Sequence, residues 1–285
     1  MIVVTGATGH LGRLVVDELL KKVPAARIVA AVRDPEKAAD LRSRGVVVRQ
    51  ADYDKPETLA SAFAGAAKVL LISGSEVGRR LPQHRAVIEA AKAAGAKLIA
   101  YTSALHADTN TIELAKEHKA TEEMIFNSGL PFTILRNGWY LENYTDHLAT
   151  ALEHGAIVGS SGKGRVAAAA RADYAAAAAV VLTESGHENK IYELAGDTAF
   201  TMDELAEEVS RQVGRTIVYK DLSFEEHTAM LMGAGLPKPL AEVYADSDQG
   251  VKRGELNDDS GDLHRLIGRP TTPMASAVKA ALRKP

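Results

Sequence analysis

The opening stretch of this chain constrains its fold more than any other. Ile2-Val3-Val4 is a short apolar run that breaks into Thr5-Gly6-Ala7-Thr8-Gly9-His10-Leu11-Gly12, after which Leu14, Val15, Val16, Leu19 and Leu20 recur at helical spacing. The pattern predicts a strand, a glycine turn and an amphipathic helix. Lacking a Cβ, Gly6 can turn tightly, Gly9 lets a ligand reach main-chain N–H groups, and Gly12 lets the helix lie close on the strand. The open N–H groups and partial positive charge at the helix start suit a phosphate. A glycine spacing alone is a weak signal. Between a buried strand and an amphipathic helix it points to a dinucleotide whose pyrophosphate rests on Gly6, Ala7, Thr8, Gly9, His10, Leu11 and Gly12.

Strands then alternate with helices. Arg27–Val32, Val46–Arg49, Lys68–Ile72, Lys97–Tyr101 and Phe132–Leu135 read as five more strands, mostly continuous in apolar residues, as expected where helices cover both faces of a parallel sheet. Asp34 before Pro35 suits a helix start, Asp54 with Glu57 resembles a capping box, and Gly95 closes a helix beginning near Gln83. The expected fold is α/β, a doubly wound parallel sheet with right-handed crossovers. Beyond Leu141 the rhythm changes. Ser160–Gly164 is a turn cluster, Ala167–Ala179 reads as an alanine-rich helix, Thr201 with Glu204 as a capping box, Thr216–Lys220 as a strand, and Phe224–Met232 and Met274–Leu282 as helices. Gly233–Gly254, with its prolines and glycines, has no legible element. The division expected is a dinucleotide-binding domain over 1–140 and a smaller α/β region over 141–285 that covers substrate and partly returns to the sheet.

A chain of 285 residues with 46% apolar and 25% charged residues can bury a full core. The net charge of −3 gives no reason to expect nucleic acid or an anionic membrane. With no cysteine, disulfides, thiolate metal sites and a cysteine nucleophile are excluded, and His84, His106 and His147 show no metal-ligand spacing, so no metal is expected. No charged leader precedes Ile2, and the apolar stretch Ala172–Leu182 is far shorter than the roughly 20 residues needed to span a bilayer. The expectation is a cytoplasmic protein without a membrane or nucleic-acid partner.

The second strand ends in Val32 followed by Arg33. An acidic residue at this point binds the ribose 2′-OH of NAD, whereas arginine accommodates the 2′-phosphate of NADP. Asp34 better suits capping, so Arg33 favours NADP. Open α/β sheets bind ligands beyond the carboxyl ends of their strands. There lie Asp52, placed to accept from the adenine amino group, Ser73 and Gly74, placed to pass close to a ribose, then Thr102-Ser103 and Arg136–Tyr140. Trp139, Tyr140 and Tyr144 either wall an apolar pocket or belong to the core.

Thr5–Gly12, Arg33, Gln50–Tyr53, Leu71–Glu76, Ala100–Ser103 and Leu135–Tyr140, with Gly186–Leu194 and Leu266–Thr271, resemble the NmrA-like group of atypical short-chain dehydrogenases over essentially the whole chain. Within that group the likeness is greatest to the bacterial NADPH:quinone oxidoreductase type and next to the triphenylmethane reductases. The resemblance implies NADPH held by the glycine turn, Arg33, the Ser73-Gly74-Ser75 loop, Asn137-Gly138-Trp139-Tyr140 and Arg171, with small quinones as hydride acceptors; it leaves a homodimer open.

One departure from the wider superfamily bears on mechanism. Ordinary short-chain dehydrogenases carry a Tyr and, four residues later, a Lys that deliver a proton to a carbonyl oxygen. Aligned on the helix Glu117–Glu122, the Lys position holds His118 and the Tyr position Leu114. A ketone reductase would suffer, because the alkoxide it forms is a very strong base. A quinone yields a phenolate, whose conjugate acid has a pKa of roughly 10, and needs no dedicated donor. The candidate catalytic residues are then His118, Asn137 and Tyr140. His118 suits a ribose hydroxyl or the quinone oxygen, or else is a helix histidine satisfied by a neighbour. The alternatives to a quinone reductase are a triphenylmethane-dye reductase and a non-catalytic NADP-binding redox sensor.

Overall fold

The protein is described here by a computed structural model covering residues 1–283. In chain order its elements are β1 (Ile2–Thr5), α1 (His10–Leu20), β2 (Ile28–Val32), α2 (Ala39–Ser43), β3 (Val47–Gln50), α3 (Pro56–Ala62), β4 (Lys68–Leu71), α4 (Arg80–Ala93), β5 (Leu98–Ala104), α5 (Glu113–Phe126) and β6 (Phe132–Asn137). Then follow α6 (Glu142–Thr145), α7 (Leu148–His154), β7 (Ala156–Gly159), α8 (Arg171–Thr183), β8 (Lys190–Leu194), α9 (Met202–Val213), β9 (Val218–Asp221), α10 (Phe224–Gly233), α11 (Lys238–Arg253), α12 (Asp262–Ile267) and α13 (Met274–Ala281).

A seven-stranded sheet runs in the order β3-β2-β1-β4-β5-β6-β8, and the pairs β1–β2, β1–β4, β2–β3, β4–β5 and β5–β6 are parallel. This is the doubly wound α/β sheet expected from the alternation of apolar runs. The chain winds outward from β1 to β3, then restarts on the other side of β1 with β4, so the switch point lies between β1 and β4. A crevice beyond the carboxyl ends of the strands opens at such a point. The hydroxyl of Thr5 straddles it, donating to Leu70 O at 3.1 Å and accepting from Ile72 N–H at 3.1 Å.

The residues group into two compact units, each discontinuous along the chain. The first holds Met1–Ala104, Glu117–Asn137 and Arg171–Tyr192. Val3, Val29, Val69, Leu71, Ile99, Tyr101 and Ile134 from its strands bury themselves with Val87, Ala91 and Ile125 from its helices and Phe63 just after α3. In this unit α1 packs on α8. Leu11, Val15, Val16 and Leu19 of α1 are buried, and so are Ala175, Ala177, Ala178 and Ala179 of α8, whose small side chains let the two helices approach.

Among the described residues, the second unit holds Leu105–Lys116, Gly138–Ala170 and 193–283. It carries a two-stranded parallel sheet of β7 and β9, and a core of Leu141, Leu148, Val166, Phe200, Leu205, Val209, Val251, Leu256 and Val278. The Thr201–Glu204 capping box that opens α9 is present as expected, and Ser223 with Glu226 forms another at α10.

Two local expectations are corrected, and one stretch without a legible element acquires a helix. Ala167–Ala170 is extended, because its backbone is spent on neighbours: Ala167 N–H donates to Leu256 O and Ala169 N–H to Trp139 O, so the helix starts at Arg171. Lys55 stands at the N-cap of α3 without a side-chain capping bond, with Pro56 at the first helical position, while Asp54 N–H turns back to Asp52 Oδ1 at 3.1 Å, so Asp54 and Glu57 form no capping box. The stretch Gly233–Gly254 contains the sixteen-residue α11: Pro237 stands at its N-cap and Pro239 in its first turn, where a missing N–H costs nothing.

Candidate functional site

The turn between β1 and α1 is built by its glycines. Gly6 takes φ +60° and accepts a hydrogen bond from Gly9 N–H at 2.9 Å. A Cβ on Gly12 would lie 2.2 Å from Gly6 O and 2.8 Å from Ala7 Cα, both backbone atoms, so only glycine fits there. Gly9 is the N-cap of α1 and no side chain caps that end, which leaves the first-turn N–H groups for a ligand.

At the end of β2, Asp34 accepts from Glu36 N–H at 3.1 Å and caps a short 3-10 turn starting at Pro35, as its position predicted. Arg33 is exposed, and its Nη1 lies 3.2 Å from Glu76 Oε1. Beyond β3, Asp52 accepts from Asp54 N–H and sits 3.8 Å from Lys55 Nζ. Tyr53 reaches Ile72 O at 3.4 Å, with burial pushing its phenol up to about 12.

The loop after β4 is gripped from several sides. Ser73 N–H donates to Thr102 Oγ1 at 2.9 Å, Gly74 N–H to His84 Nε2 at 3.0 Å, Arg80 Nε to Gly74 O at 2.6 Å, and Gly78 N–H to Glu117 Oε1 at 3.1 Å. Because Gly74 N–H can only donate, His84 Nε2 is unprotonated and its proton sits on Nδ1, directed at Thr121 Oγ1 2.9 Å away. Thr121 in turn donates to Glu117 O at 2.8 Å. Burial, and then the Arg80 guanidinium, push the His84 imidazole down to about 3.

Behind this loop, Tyr101 on β5 is fully buried, with its hydroxyl 2.8 Å from His118 Nδ1. His118 is 4% exposed, and burial, with Arg80 and His84 adding, holds its imidazole well below the ordinary value. Nε2 is therefore the ring nitrogen left to meet a ligand. The register pairs Ser103 with Arg136, and α5 lays Glu122 across both. Arg136 grips Glu122 through Nε at 3.0 Å and Nη2 at 2.7 Å, and Ser103 Oγ donates to the same carboxylate at 2.6 Å. Next to this pair, at the end of β6, Asn137 carries a buried Oδ1 with no hydrogen-bond partner among the described residues.

Stability should therefore fall in acid. The folded chain keeps both His84 and His118 neutral, while an unfolded chain protonates each near its ordinary value. For His84 the contribution is complete above about pH 6.5 and is lost as the pH falls from there toward about 3, at up to about 1.4 kcal/mol per pH unit, and His118 acts in the same direction. Urea unfolding at about pH 7 and about pH 5 measures it, and equal stability at both would overturn it.

The sequence-predicted site residues divide between the two units. The glycine turn, Arg33, Asp52, Ser73, Gly74, Ser75, His118, Asn137 and Arg171 belong to the first, at or after strand ends or on α5 and α8, as does Thr102, which lies inside β5 because that strand runs on to Ala104 and not, as expected, to Tyr101; Gly138, Trp139 and Tyr140 belong to the second. There Gly138 N–H donates to Leu194 O at 2.7 Å, and Ala169 flanks Tyr140 by accepting from Leu141 N–H and donating to Trp139 O. Sequence reading missed Arg80, His84, Glu117, Tyr101 and Glu122. Their signal was polar side chains one helical turn apart, Arg80 with His84 and Glu117 with Thr121, on helices that otherwise face a sheet.

A glycine cradle, an uncapped helix start, an arginine beyond β2 and an orphaned amide oxygen at the end of β6 fit a dinucleotide at the carboxyl edge of the sheet. No helix among the described residues is long and apolar enough to cross a membrane, and none of their His, Asp and Glu side chains cluster in a metal-holding group of three or more.

Fold and site together define a doubly wound nucleotide-binding protein. The chain belongs to the NAD(P)H-binding family, whose sequence profile matches residues 6–185. It is 55% identical to quinone oxidoreductase 2 of Escherichia coli over 98% of this chain and 97% of that protein. A crystal structure of the NADPH-dependent quinone oxidoreductase of that organism complexed with NADPH matches with a TM-score of 0.97, covering 99% of this chain and 100% of that one, at 54% identity. Triphenylmethane reductase of Citrobacter sp., complexed with NADP(H), matches with a TM-score of 0.93 at 46% identity, covering 99% and 100%. An NmrA-like oxidoreductase of Aspergillus flavus is 30% identical over 98% of this chain and 94% of its own length. The expected kinship with NmrA-like dehydrogenases is borne out.

Proposed function

We propose that the protein is an NADPH-dependent oxidoreductase that reduces quinones or similar conjugated acceptors. The observation that carries this reading is the agreement of the whole fold, glycine turn included, with the NADPH-bound Escherichia coli quinone oxidoreductase. When bound, NADPH supplies a hydride, and quinone plus hydride plus one proton gives the hydroquinone. The first-turn N–H groups of α1 and the backbone from Gly6 to Gly12 hold the pyrophosphate, and Arg33 holds the 2′-phosphate. Asp52 accepts from the adenine amino group. Ser73, Gly74, Ser75 and Thr102 line the ribose, in a loop already fixed by His84 and Arg80. Asn137-Gly138-Trp139-Tyr140 and Arg171 complete the binding residues.

His118, Asn137 and Tyr140 are the groups we assign to the reacting end. His118, held neutral by burial, orients the acceptor or ribose through Nε2 and is no imidazolium acid. Leu114 stands where an acid tyrosine would be, so the one proton comes from solvent, which suffices because the phenolate is stable enough to form first, whereas an alkoxide forms only with an acid in place. Positioning then supplies most of the rate. The cytoplasm, where NADPH is generated, is the compartment we infer.

The test is NADPH oxidation with benzoquinone, a naphthoquinone and a cationic triphenylmethane dye in parallel. Quinone turnover supports the reading; turnover of the dye alone makes the protein a dye reductase, and tight NADP binding with no acceptor reduced makes it a sensor. An Arg33→Ala variant should raise the KM for NADPH about 10- to 100-fold, the loss of about 1.5–3 kcal/mol expected of a charge-assisted hydrogen bond, with little change for NADH. Equal effects on both coenzymes would remove Arg33 from the 2′-phosphate.

A further inference from the structure

Glu76 introduces a negative charge where the proposed cofactor brings another. Its Oε1 lies 3.2 Å from Arg33 Nη1, on the side chain assigned above to the 2′-phosphate. Its Oε2 lies 3.2 Å from Arg79 Nη1 and 3.3 Å from Gln83 Nε2, while Arg79 Nη2 and Gln83 Nε2 also hold Asp54 Oδ1 at 3.0 and 3.2 Å. Two arginines thus face two carboxylates, and the cluster is neutral before any phosphate arrives. A 2′-phosphate gripped by Arg33 adds up to two negative charges next to the Glu76 carboxylate, and like charges a few ångströms apart repel even in water. The exposed Arg33–Glu76 pair contributes little to stability by itself. Its consequence is competition: the phosphate must displace Glu76 from Arg33, whereas a 2′-hydroxyl leaves the pair intact and can donate to it.

We propose that Glu76 is a coenzyme-specificity residue that stands in for the 2′-phosphate on Arg33 and so weakens the preference for NADPH over NADH. The proposal rests on the assignment of Arg33 made under Proposed function. Arg79 and Gln83 make the exchange feasible, because Oε2 keeps both partners when Oε1 releases Arg33. Release of Glu76 also frees the loop after β4 from its tie to the end of β2, so occupation of the phosphate site is felt by the Ser73-Gly74-Ser75 segment.

The experiment measures dissociation constants of wild type, Glu76→Gln, Glu76→Asp and Arg33→Ala for NADPH and NADH, and for adenosine 2′,5′-bisphosphate and AMP as probes that differ only in the 2′-phosphate. Glu76→Gln should tighten NADPH and the bisphosphate about three- to tenfold relative to NADH and AMP, as expected from removing one like charge at this range in water. Glu76→Asp, with a shorter reach but the same charge, should lie between Gln and wild type. The gain should shrink at about 0.5 M salt, where such charges are screened within a few ångströms. It should also shrink when combined with Arg33→Ala. A ratio unchanged or lowered in Glu76→Gln overturns the proposal. Wild-type protein that binds no NADPH, or Arg33→Ala that keeps the wild-type ratio, would defeat the earlier assignment; NADPH binding lost in Arg33→Ala beside a neutral Glu76→Gln defeats this one alone.

Discussion

Gly12→Ala is expected to cut kcat/KM for NADPH about 100-fold and to lower thermal stability. The added methyl would sit 2.2 Å from Gly6 O and 2.8 Å from Ala7 Cα, and neither atom can rotate away because both are backbone. Relief requires α1 to move off β1 by about 1 Å, and a displacement of that size at a binding site costs roughly 10²-fold. Overpacking adds about 1–3 kcal/mol of destabilisation. Gly9→Ala is the control for the two effects: its Cβ meets Gly6 O at 3.2 Å with nothing else near, so folding is spared more than cofactor binding. Steady-state kinetics with varied NADPH, beside thermal melts, separate them. Wild-type NADPH kinetics in Gly12→Ala would show that the turn does not depend on this approach.

Glu122→Ala is expected to destabilise the protein by about 3–5 kcal/mol, because the Arg136 guanidinium stays buried after its carboxylate is gone. Glu122 is 2% and Arg136 5% exposed, so water cannot replace the lost partner. The Ser103 hydroxyl loses its acceptor as well. Replacing both members by methionine should cost less than either single change, since a buried pair gains little over apolar residues of similar size. Urea unfolding of the two single variants and the double variant checks this; additive losses would mean that the pair is not coupled.

What could be read in the sequence followed from periodicity and from glycine and proline. Ile2-Val3-Val4 and the later apolar runs gave the sheet because strands buried on both faces are apolar throughout. Gly95, observed at φ +69° just beyond α4, ended that helix as expected. Legibility failed where tertiary hydrogen bonds override composition. Ala167–Ala170 has the residues of a helix and the conformation of a strand, since the partners that extend it, Trp139, Leu141, Gly196 and Leu256, are distant in sequence. In Gly233–Gly254, where no element was legible, Pro237 and Pro239 stand at the start of α11. In the site, the glycine turn and Arg33 were visible because their chemistry is local. The clamp on Gly74 was not, because it depends on α4 and α5 delivering His84, Arg80 and Glu117 to one loop after folding.

The packing of α1 on α8 sets an order of events on the ribosome. A nascent chain that has emerged only as far as Asn137 already contains the glycine turn and six strands, yet α8, which packs on α1, begins at Arg171. Until that helix appears, the flank of α1 that meets α8 stays wet, and the cradle is supported only from the side of β1 and β2. Closing so long a loop is entropically slow, so coenzyme affinity should be acquired late in synthesis, and chains cut short before Thr183 should be clients for chaperones.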